Sequence, residues 1–75
     1  MRKYVIKSNI PSDKVDYNAR WSTEERATKD FFDIASRLSE EYPISVVFNN
    51  KILRGTICAE IDGFFYYVEL YKEGL

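Results

Sequence analysis

Residues 52–72, ILRGTICAEIDGFFYYVELYK, decide the fold. Asp62-Gly63 in their middle is a strong two-residue hairpin signal, because such a turn needs positive φ at both positions and Asp and Gly tolerate it. With this pair as the loop, Ile61 faces Phe64, Ala59 faces Tyr66, Ile57 faces Val68 and Gly55 faces Leu70. Every partner is apolar or small. A slip of one residue would move the whole set to the other side of the sheet, so the register is self-consistent. The second arm carries Phe64, Phe65, Tyr66, Tyr67 and Tyr71, more aromatic surface than one buried face needs.

Working back from the hairpin, Asn49-Asn50-Lys51 is a turn signal, and the residues before it, Ile44–Asn49, read as a further strand. Parity carried across that turn places Ile44, Val46 and Phe48 on one face with Leu53, Phe64, Tyr66, Val68 and Leu70. The opposite face holds Val47, Arg54, Thr56, Cys58, Glu60, Phe65, Tyr67, Glu69 and Tyr71, half polar and half aromatic. Pro43 closes a helix before this strand, since the residue preceding proline avoids the α region. Ser22 with Glu25 three positions on reads as a capping box. Ala27, Phe31, Ile34, Ala35, Leu38 and Tyr42 then fall on one helix face at 3.6-residue spacing. Opposite charges at i,i+4 (Glu25–Lys29, Arg26–Asp30, Asp33–Arg37, Arg37–Glu41) suit the solvated side. Glu40 and Glu41 lie at the negative end of the helix dipole, a mildly unfavourable placement. Before the helix, Tyr4, Ile6 and Ile10 alternate with Lys3, Lys7 and Asn9, a short strand stopped by Pro11. Residues 12–20 read as a polar loop.

The implied architecture is α+β: a single domain over residues 1–75, with one helix on one face of a mainly antiparallel sheet, in the order β-α-β-β-β. The place of the first strand stays open, beside the last strand or against another molecule. A chain of 75 residues buries a thin core. Its 45% hydrophobic and 31% charged residues describe a globular chain, and 16% aromatics bury much area with few residues.

Composition removes several classes of function. With no histidine, the usual base near neutral pH and the commonest metal ligand are absent. One cysteine, Cys58, allows neither an intrachain disulfide nor a cysteine-rich zinc site, and its lone thiol suits a reducing, cytoplasmic setting. Three glycines, in no phosphate-binding or nucleophile-elbow pattern, argue against nucleotide-dependent and serine-hydrolase chemistry. As a nucleophile Cys58 would need a neighbouring base or cation, and Arg54, two same-face positions away, is the one candidate. The chain is expected to be no enzyme and to use no cofactor or metal. Net charge is -1 from 11 basic and 12 acidic residues, which offers little for phosphate neutralisation. No apolar run is long enough to cross a membrane.

What remains is the aromatic face. Tyr and Phe beside an Arg are types enriched in the centres of protein interfaces. Val47, Arg54, Phe65, Tyr67 and Tyr71 are therefore candidate partner-binding residues, with Trp21 before the helix as a further hot-spot candidate. The partner would be another protein or a second copy of the chain. Two other readings stand beside it: the segment with Val15, Tyr17 and Trp21 folds back over the face, or the rings stack on unpaired bases of a single strand. Small lone domains without catalytic groups are often stoichiometric regulators, such as inhibitors or antitoxins of phages and mobile elements, an association of size class.

From the helix through Pro43-Ile44-Ser45-Val46-Val47-Phe48-Asn49-Asn50-Lys51-Ile52-Leu53-Arg54-Gly55-Thr56-Ile57 to Ile61-Asp62, the chain resembles the first half of the Sm-like RNA-binding fold. The shared elements are a helix, a strand, an Asn-containing turn, a strand with an inner glycine (Gly55) and an acidic residue near its end (Asp62). The resemblance implies a bend of the long strand at Gly55, but Sm-type RNA binding is not carried over. Where that family places an RNA-contacting Asn this chain has Tyr66, and the closing Arg-Gly loop and strands have no counterpart.

Overall fold

Five strands and one helix follow in the order β1 (Tyr4–Ser8), β2 (Ala19–Trp21), α1 (Glu24–Glu41), β3 (Ile44–Asn49), β4 (Arg54–Ile61) and β5 (Phe64–Lys72). The computed structural model describes residues 2–11 and 16–74, so Val15 and the first part of the expected polar loop, residues 12–15, lie outside the described residues. The strands form one antiparallel sheet in the order β2-β1-β5-β4-β3 with α1 on one face, an α+β architecture. The first strand lies beside the last, pairing Ile6 with Leu70.

The hairpin register is the expected one, with Ile61 opposite Phe64 and Gly55 opposite Leu70. Asp62 and Gly63 have φ of 53° and 82°, the positive pair a two-residue turn of this twist requires. α1 buries Ala27, Phe31, Ile34, Ala35 and Leu38 against Ile6, Leu53, Ile57, Val68 and Leu70. Phe31 is the largest of these side chains, and Gly55 beneath it leaves room for the ring.

Four local expectations change. The helix cap is Thr23, whose Oγ1 accepts from Arg26 N at 3.3 Å, one residue later than the Ser22 capping box. Ser22 and Thr23 are both capable acceptors, and the apolar face decides which one starts the helix. β4 begins at Arg54 rather than Ile52, because Leu53 adopts φ of 45° to drop its side chain into the core, and that left-handed residue breaks the ladder. Ala19 and Arg20, expected as loop, join Trp21 in the edge strand β2 against Tyr4–Ile6. Phe64, assigned to the core by parity, is 67% exposed. The β1–β5 ladder ends at Ser8–Val68, and Asn9 closes it by donating its N–H to Tyr67 O and accepting Tyr67 N–H on Oδ1. The hairpin tip runs on past that point, so Phe64 has the helix-side parity without its cover. Tyr66 is half-buried, also outside the buried core.

Among the described residues the expected i,i+4 charge pairs do not close into ion pairs. Asp30 is engaged by Trp21 instead.

Candidate functional site

The side of the sheet away from α1 carries the odd-numbered residues of β3 and β5 and the even-numbered residues of β4. Register arranges them in rows across the strands. One row runs Arg20, Val5, Tyr71, and continues to Arg54 and Asn49; the next runs Lys7, Glu69, Thr56, Val47; a third joins Tyr67, Cys58 and Ser45, and a fourth pairs Phe65 with Glu60.

The first row shelters its central residue, Val5. Val5 points away from the helix yet is 2% exposed, flanked by Arg20 on β2 and Tyr71 on β5. Arg20 makes a two-pronged ion pair with Glu73, Nη1 to Oε1 at 2.7 Å and Nη2 to Oε2 at 3.1 Å. That pairing holds the Glu73 carboxyl below the usual range, chiefly through the hydrogen bonds from Arg20. It also raises Arg20. On the other flank the Arg54 guanidinium lies 6.0 Å from the centre of the Tyr71 ring, at the limit of a cation–π contact. Sequence reasoning missed Val5 because its cover comes from β2, a strand of three residues, too short to be read from periodicity.

The remaining rows are open. Val47 is 71%, Phe65 61% and Tyr67 45% exposed. Cys58, half-buried, sits between Ser45 and Tyr67, so its cross-strand neighbours are neither cation nor base. Phe65 borders a shallow depression lined by Pro43, Ile44, Ser45, Cys58 and Glu60. Of the expected partner-binding residues, Val47, Phe65 and Tyr67 are thus the uncovered apolar groups of this face, Val47 on β3 and the two rings across β4 on β5, and Arg54 with Tyr71 borders them.

Trp21 does not belong to it. Its position opposite Tyr4 puts it on the helix side, where Nε1 donates to Asp30 Oδ2 at 2.9 Å. Tyr17 and Trp21 both pack against the core beneath α1, not over the open face. The folded-back arrangement fails for these two residues, because the β1–β2 register and the core contacts hold them on the helix side. Among the described residues no cluster of potential ligands is placed to hold a metal ion, and no helix is long and apolar enough to cross a membrane.

Comparison with protein-family models, curated proteins and solved structures finds no match for this chain.

Proposed function

We propose that this chain is a non-catalytic interaction domain that docks the open face of its sheet onto a protein, acting as a stoichiometric regulator in the cytoplasm. The observation that carries the reading is the exposure of Val47, Phe65 and Tyr67, three large apolar groups left in solvent on the sheet face opposite the helix. Exposed apolar surface rimmed by polar groups is the usual mark of an interaction site. Arg54 and Tyr71 supply that rim. The absence of histidine supports a non-catalytic role.

Base stacking by the same rings is the competing reading. Glu60 directly opposite Phe65 and Glu69 two positions from Tyr67 argue against it, because carboxylates among the rings repel a phosphate backbone.

The test compares the wild-type chain with Tyr67→Glu and Phe65→Ser. A protein-docking face loses its captured partner in both variants while circular dichroism stays unchanged. Salt-sensitive binding of a single-stranded oligonucleotide, lost in Tyr67→Glu, would replace the proposal with the nucleic-acid reading.

A further inference from the structure

We propose that β3 pairs edge to edge with β3 of a second copy of this chain, about a two-fold axis through Val46, doubling the five-stranded sheet. The inference rests on the interaction-domain reading and names the occupant of one particular surface.

The two edges of the sheet differ. β2 is a three-residue strand bearing Arg20, too short to template another chain. β3 is six residues long and reads ISVVFN, with no charge, no internal proline and no glycine, so it has none of the usual devices that protect an edge. Both of its central residues show apolar surface to solvent, Val46 on the helix side and Val47 on the other. Phe48 stands on the helix side of the same strand, with Phe32, itself exposed, packed on it at 5.1 Å between ring centres.

The backbone polarity of β3 selects the register. Glu60 N donates to Pro43 O across β3–β4, and those residues are in direct register with Ile44–Ala59. Alternation along an antiparallel ladder then turns Ser45, Val47 and Asn49 toward β4, and leaves the N–H and C=O of Ile44, Val46 and Phe48 pointing out of the sheet. A two-fold axis perpendicular to the sheet pairs Val46 with Val46 and Ile44 with Phe48 of the second copy. In that register every outward donor of the three residues meets an outward acceptor. Helix-side neighbours across the junction are all apolar, and on the open face Ser45 meets Val47.

Charge agrees with this register at both ends. Helix α1 ends in Glu40-Glu41 with no basic residue in its last turn, so two carboxylates face the negative end of its own dipole. Continuing the pairing beyond the strands carries the turn containing Lys51 to the Glu40-Glu41 end of the partner's helix, and the symmetry repeats the contact. The charge placement that is unfavourable within one chain becomes complementary between two. Both helices then lie on one side of a continuous sheet, and the two patches of Val47, Phe65 and Tyr67 share the other.

The test uses the fact that position 46 faces itself. Analytical ultracentrifugation of the whole chain at micromolar and higher concentration should give twice the chain mass of 8.9 kDa. Val46→Lys and Val46→Glu should each sediment as monomers, because each sets like charges side by side, and their equimolar mixture should recover the double mass. Val46 lies outside the buried core, so both variants should keep the wild-type circular dichroism. Val46→Pro, which removes an outward N–H that β4 does not use, should also weaken association. A wild-type monomer throughout the range overturns the proposal, as does a dimer that persists in all three variants. A dimer dissolved by Tyr67→Glu but untouched at Val46 overturns the edge pairing and leaves the open face as the docking surface. A monomer that still loses a captured protein on Tyr67→Glu separates failure of the edge from failure of the face.

Discussion

Phe31 presses the end of its ring onto the bare backbone of Gly55, so closely that a Cβ there would lie 2.7 Å from Cζ and 2.9 Å from Cε2. Phe48 closes the other side, 3.1 Å from the same point. Phe31 is fully buried and cannot swing aside. Gly55→Ala should therefore destabilise the fold by about 1–3 kcal/mol through overpacking, read by urea denaturation. In a Phe31→Leu background the same substitution should cost clearly less, because the clashing ring atoms are gone.

Gly63 needs glycine for a different reason. Nothing lies within 4 Å of a Cβ there, but φ is +82°. Gly63→Ala should cost about 1 kcal/mol from backbone strain alone, and no change in the core should soften it. Comparison of the two alanine variants by thermal denaturation, each with and without Phe31→Leu, separates the steric glycine from the conformational one.

Trp21 is the only tryptophan, and its Nε1–H reaches Asp30 Oδ2 at 2.9 Å. Asp30→Ala should cost about 1–2 kcal/mol, since the half-buried indole loses a charged acceptor. Tryptophan fluorescence is the direct readout, its emission shifting as β2 loosens from α1.

The Arg20–Glu73 pair bridges the strand order across β1 and shelters Val5. Glu73 ionises more readily in the folded chain than in the unfolded one. Its contribution is thus present above the ordinary glutamate range, about 4.3, and fades as pH falls through the lower folded value. Amide protection of β2 and β1 should decline in acid in the wild type. In Glu73→Gln it should be lower at neutral pH and change little below it.

Phe65→Ser and Val47→Thr should change stability by about 0.5 kcal/mol or less, because both side chains are mostly in solvent. Val5→Ser, on the same side of the sheet, should cost about 2–3 kcal/mol by burying a hydroxyl in place of a sheltered methyl pair. Chemical denaturation of the three variants distinguishes the open part of the face from the covered part.

Much of this fold was legible along the chain. The turn at Asp62-Gly63 sets φ locally, and the two-residue period then assigns every facing pair from Ile61–Phe64 to Gly55–Leu70. The 3.6-residue period likewise names Ala27, Phe31, Ile34, Ala35 and Leu38. What escaped has a common cause. Leu53 leaves the strand because a distant core draws its side chain inward. β2 exists because Tyr4–Ile6 offers it an edge, not because Ala19-Arg20-Trp21 favours a strand. The role of Gly55 likewise depends on Phe31, far away in sequence.

The candidate site divides along the same line. Parity alone placed Val47, Phe65, Tyr67, Tyr71 and Arg54 together on the face opposite the helix, since side-chain direction along a strand is local geometry. Which of them meet solvent was decided by tertiary structure: β2 and the Arg20–Glu73 pair shelter the end near Val5 and Tyr71, Trp21 turns to Asp30 on the other side, and the hairpin tip outruns both β1 and α1. Cover is a property of elements distant in the chain, and no periodicity of the covered strand can report it.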